Sequence, residues 1–78
     1  MPDLLPFRIE QLDPSGQWVE RERRSTLPAA TREATALARY HAAVHTPQRL
    51  RDGQVVGAVR VRRGEDATAL ATFLPSVS

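Results

Sequence analysis

The sequence predicts a small two-layer α+β domain: an antiparallel sheet in the order β-β-α-β-β, one long helix packed on one face, and a short C-terminal helix or strand. Three observations carry that prediction. Residues 6–12 alternate apolar and polar, Asp13-Pro14-Ser15-Gly16 follows as a turn, and residues 27–44 form an alanine-rich run with apolar positions three and four apart.

The first element is PFRIEQL, residues 6–12, where Phe7 and Ile9 mark one face of a half-buried strand. Pro14 presets φ for the second position of a type I turn, and Gly16 can take the left-handed conformation after it. A second strand is expected from Gln17 to about Arg24. A bulged register pairs Leu12 with Trp18, Glu10 with Glu20 and Arg8 with Glu22; the unbulged one sets Arg8 against Arg21, and like charges directly opposite cost energy. In the bulged register Phe7, Ile9 and Val19 share a face with the stems of Arg21 and Arg23, and Leu12 and Trp18 take the other.

Ser25-Thr26-Leu27-Pro28 starts the helix, with a hydroxyl cap and then a proline in the first turn, where no amide hydrogen is missed. The run continues to about Val44, with Leu27, Ala30, Ala34, Leu37, His41 and Val44 as its apolar stripe and Pro47 ending it. Gln48 to Arg51, a type I′ turn at Asp52-Gly53, and QVVGAVRVRR (54–63) make the second hairpin. Val55, Val59 and Val61 lie on one face of it, with Val56, Ala58, Arg60 and Arg62 on the other. Gly57 marks a bulge or a close approach of the helix. In the tail, ATALATF (67–73) echoes ATALARY (34–40), and Glu65 and Asp66 precede it. Residues 66–74 therefore read as a short helix, with extended structure as the alternative.

Length and composition bound the rest. The 78 residues suit one domain, 1–78, with 1–5 and 75–78 expected to fray. Such a chain buries only roughly 60–65% of its unfolded surface. Without cysteine, no disulfide or thiolate metal site can reinforce the core. MPDLLPF lacks a basic segment and a long apolar run, so no signal peptide is expected; no stretch approaches the ~20 apolar residues of a membrane span, and a cytoplasmic location is the default. All eleven basic residues are arginine. The isoelectric point near 10.4 overstates the charge. With no lysine or cysteine, few groups titrate between neutral pH and the arginines, and the net charge is only +2.

Catalytic chemistry finds no support. The serines (Ser15, Ser25, Ser76, Ser78) have no histidine and acid context, and no glycine-rich loop could cradle phosphate. His41 and His45 stand one helical turn apart, but position 42 is alanine, so the general base of a metalloprotease motif is missing and two ligands do not close a zinc site. No enzyme activity, metal or cofactor is expected.

Two binding readings remain. Arg21, Arg23, Arg24, Arg60, Arg62 and Arg63 could form a basic strip for nucleic acid, with Trp18 or Tyr40 stacking on a base. Against it, Glu20 and Glu22 interleave with the arginines and Glu10 lies on the same sheet. The leading reading is a small non-enzymatic interaction module that docks onto a larger protein or a second copy of itself, through Trp18, Leu12, Arg21, Arg23, Arg24, Arg60 and Arg62. A chain this short, rich in arginine and alanine, whose codons are GC-rich, would suit a phage or mobile-element accessory factor. If the tail folds over Trp18, Leu70 and Phe73 cover the indole. If it does not, Trp18, Leu12, Val56 and Ala58 form an exposed patch rimmed by Arg8, Arg60 and Arg62.

Overall fold

The computed structural model describes residues 4–75; the fraying expected of residues 1–3 and 76–78 lies outside the described residues. Strands β1 (Phe7–Leu12) and β2 (Trp18–Arg24) form the first hairpin. Helix α1 (Leu27–Val44) follows, then β3 (Val59–Arg63) and β4 (Ala71–Phe73). The four strands form one antiparallel sheet in the order β2-β1-β3-β4, with the helix joining β2 to β3.

The first turn forms as its residues dictate. Gly16 N–H donates to Asp13 O at 3.0 Å, Gly16 has φ +87°, and the Asp13 carboxylate accepts from the amides of Ser15 and Gln17. Leu12 pairs with Trp18 and Glu10 with Glu20, and the register then shifts, leaving Arg21 as the extra residue. Arg8 consequently faces Arg23 and not the expected Glu22, which moves Arg23 to the face away from the helix. The like pair is relieved by Glu20, whose Oε1 lies 3.7 Å from Arg8 Nε and 3.1 Å from Arg23 Nε.

Thr26 is the helix cap, with extended φ and ψ and its hydroxyl accepting from Ala29 N–H at 3.3 Å. Ala30, Ala34 and Ala38 form the buried row. Their small side chains let the helix lie close against Ile9, Val59 and Val61, with Phe7, Leu37 and Phe73 packed around. The expected stripe holds only at its centre: Leu27 and Val44 are exposed. At 1.5 Å per residue, 18 residues span about 27 Å, whereas a six-residue strand spans about 20 Å, so the helix ends overhang the sheet.

Two segments depart from expectation. Residues 48–51 do not form a strand: one bridge, Arg49 to Val55, flanks the turn at Asp52-Gly53. That turn is not type I′, which needs positive φ at both central residues, because Gly53 alone has it. The expected long strand is broken by a turn at Val55–Ala58, where Gly57 has φ +92°, so regular pairing begins at Val59 and both Val56 and Ala58 are buried. The tail is extended. β4 pairs with β3, Leu70 N–H donates to Val61 O at 2.8 Å, and Asp66 closes a turn by accepting from Thr68 N–H. Nine residues are too few for a stable helix without packing, whereas the extended tail gains backbone pairing along β3 and seats Phe73 on the core.

Candidate functional site

Strand alternation sorts the side chains of the sheet onto two faces. One face packs on α1. The other carries Arg8, Glu10 and Leu12 from β1, with their cross-strand neighbours Trp18, Glu20 and Arg23 on β2 and Arg60 and Arg62 on β3. Among the described residues, no helix or strand lies over this second face.

Glu10 is its centre. Strand β1 is flanked on both sides, so this carboxylate is pinned among neighbours and its side chain is 8% exposed. Arg60 Nε donates to Oε1 at 2.8 Å; Arg62 donates from Nε to Oε1 at 2.7 Å and from Nη2 to Oε2 at 2.9 Å, a two-pronged grip. Burial alone would raise the carboxyl's pKa. The hydrogen bonds and charges of Arg62 and Arg60 outweigh it and hold the value below the usual 4.5. Arg8 is held by Glu20 and by the outlying Glu65, and Arg62 Nη1 also donates to Asp66 O.

Arg60 also lies over the indole of Trp18, its guanidinium carbon 4.2 Å from the ring centroid. This is cation–π contact at close range. Trp18 is half-buried. Neither expected fate of the indole is found: the tail lies at the opposite edge of the sheet, its Phe73 joins the helix-side core and Leu70 stays exposed, while Leu12, Val56 and Ala58 are buried and form no surface patch.

The arginines singled out in the sequence do not form one strip. Arg23, Arg60 and Arg62 share the open face. Arg24 turns to the helix side, where it meets Glu22 at 3.0 Å and Glu33 of α1 at 3.3 Å. Arg63 lies 5.7 Å from the ring centroid of Phe7, and Arg21 reaches the helix side through the bulge. Sequence patterning underrates Arg8 and Glu65: Arg8 belongs to the network as much as Arg60, and Glu65 belongs to it and not to a helix start. Alternation with Glu10 was the available signal for Arg8; Glu65 is brought in only by the turn after β3.

His41 and His45 stack at the end of α1 with ring centroids 4.5 Å apart. Burial, then the charges of His45 and Arg21, lower the pKa of His41 below 6.5. Among the described residues no group of three or more histidine, cysteine or acidic side chains is placed to hold a metal ion.

No protein-family model matches the chain, and no match was found among curated proteins or solved structures.

Proposed function

We propose that this chain is a small non-enzymatic interaction module that docks a partner protein with the open face of its sheet, Trp18 and Arg60 at the centre. The observation that carries this reading is the guanidinium of Arg60 lying 4.2 Å above the Trp18 ring on a face that no other element covers. Tryptophan and arginine are the residue types that dominate binding energy at protein interfaces. The ion pairs to Glu10 hold Arg60 and Arg62 in place before any partner arrives, which lowers the ordering cost of association.

The chemistry of the face favours protein over nucleic acid. Four guanidiniums, of Arg8, Arg23, Arg60 and Arg62, meet the carboxylates of Glu10, Glu20 and Glu65 on that face. A phosphate backbone would have to displace those acids and would be repelled by them. A mixed-charge protein surface can pair with both signs.

Affinity capture from the native host tests the reading, with the wild-type chain beside Trp18→Ala and Arg60→Ala and with circular dichroism on each. Folded variants should lose the captured partner. Folded variants that retain it at wild-type levels would refute the proposal. Light scattering on the purified chain separates a second copy from a different protein. Retardation of DNA or RNA at low ionic strength that vanishes as salt rises would point to phosphate binding instead.

A further inference from the structure

A second feature lies on the helix side of the sheet, opposite the Trp18–Arg60 face. A cleft of about 670 Å³ opens between the C-terminal half of α1, the turn after β1, and the segment 46–56. Small-molecule sites commonly occupy about 300–1,000 Å³.

The β2 bulge supplies one side of it, with Arg21 exposed at its rim. The extra residue there is Arg21, and its side chain comes to the helix side. Gln11 serves as a strut: it is 8% exposed, its Oε1 accepts from Arg21 Nε at 3.2 Å, and its Nε2 donates to Gly57 O at 3.1 Å. Only Nε of Arg21 is engaged; the two terminal nitrogens have no protein partner among the described residues. The arginines of the open face are paired with carboxylates, and this one is not.

The lining also carries hydrogen-bond donors for an oxyanion. His41, His45 and Tyr40 line the cleft from the helix, and Thr46 adds a hydroxyl. Asp13 is the one acid in the lining, and its Oδ1 already accepts from the Ser15 amide and hydroxyl and the Gln17 amide. Leu37 and Val56 supply an apolar wall.

The geometry points to a binding site for a small organic oxyanion, its carboxylate or phosphate head taken in the fork of the Arg21 guanidinium and its apolar body laid along Leu37 and Val56. A guanidinium fixed at Nε presents its outer edge, Nη1 and Nη2, to such a head.

Titration of the full-length, 15N-labelled chain with benzoate, phenyl phosphate and neutral benzyl alcohol, followed by NMR, tests the site. At least one anion should shift the signals of Arg21, Thr46 and the two imidazoles saturably, with benzyl alcohol inert; comparison of the anions tells carboxylate from phosphate. Arg21→Gln should weaken binding by at least about tenfold, and Gln11→Leu, which keeps the charge but removes the strut, by less. No saturable shift with either anion, equal shifts with benzyl alcohol, or wild-type affinity in folded Arg21→Gln would each overturn the proposal. Should Arg21→Gln unfold, Arg21→Lys carries the test, because it keeps the charge without the fork; wild-type affinity in that variant overturns it. Trp18 and Arg60 lie on the opposite face and do not line the cleft, so Trp18→Ala should bind the anions normally, and either surface can fail alone.

Discussion

A methyl group at position 57 would lie 2.1 Å from Cδ2 of His41, and the backbone there has φ +92°. Two separate costs therefore meet at one glycine: a left-handed conformation that β-carbons oppose, and the approach of the helix. Gly53 isolates the first cost, since it has φ +91° and a β-carbon added there would meet nothing within 4 Å. Gly53→Ala should cost roughly 1 kcal/mol. Gly57→Ala should cost roughly 2–4 kcal/mol, strain and steric displacement together. Urea unfolding of both variants, repeated in a His41→Ala background, checks this. If the close approach matters, the difference between the two glycines shrinks once the imidazole is gone. Equal costs in the wild-type background would mean that the ring moves aside freely.

Among the elements, α1 depends on its cap as well as on its stripe. Its buried row is alanine, which contributes close approach but little apolar area per residue, and both ends overhang the sheet. Start signals carry more weight in such a helix. Thr26→Ala removes the acceptor for Ala29 N–H and should cost about 1 kcal/mol, read as a lower urea midpoint with an unchanged slope. Thr26→Ser should restore most of it. β4 makes the opposite case: three residues with no strong preference of their own become a strand because the edge of β3 offers Val61 O to Leu70 N–H and places Phe73 on the core.

For the molecule as a whole, Glu10 ties the sheet to solution pH. Its folded pKa lies below 4.5, so the stabilisation is complete above the unfolded value and is lost as pH falls through the folded one. Stability should thus be nearly level near neutrality and fall below about pH 5. Glu10→Gln should cost roughly 1–3 kcal/mol at pH 7 and flatten the decline between about pH 5 and pH 3. Asp13, lowered by the Ser15 hydroxyl and then the Gln17 amide, should leave a residual slope. Thermal melts across that range check both statements, and an unchanged slope in the variant would show that the carboxylate is not the sensor. The same network leaves the open face nearly neutral, although the chain is rich in arginine and has a net charge of +2.

Local chemistry was enough to determine the α+β class, the first hairpin and its turn, and the extent of the helix and its hydroxyl start. Each depends on neighbours within a few residues: alternation, a capping hydroxyl, a φ that only glycine takes without strain. Tertiary structure decided what depends on distant partners. It made the tail a strand because an edge was open, and it shortened β3 because the chain turns at Gly57 beside His41. It also divided the arginines between the two faces, because one bulge at Arg21 reverses the facing of every residue after it. A sequence records that positive and negative side chains alternate. Only the assembled sheet brings Glu10 between Arg60 and Arg62, some fifty residues away along the chain.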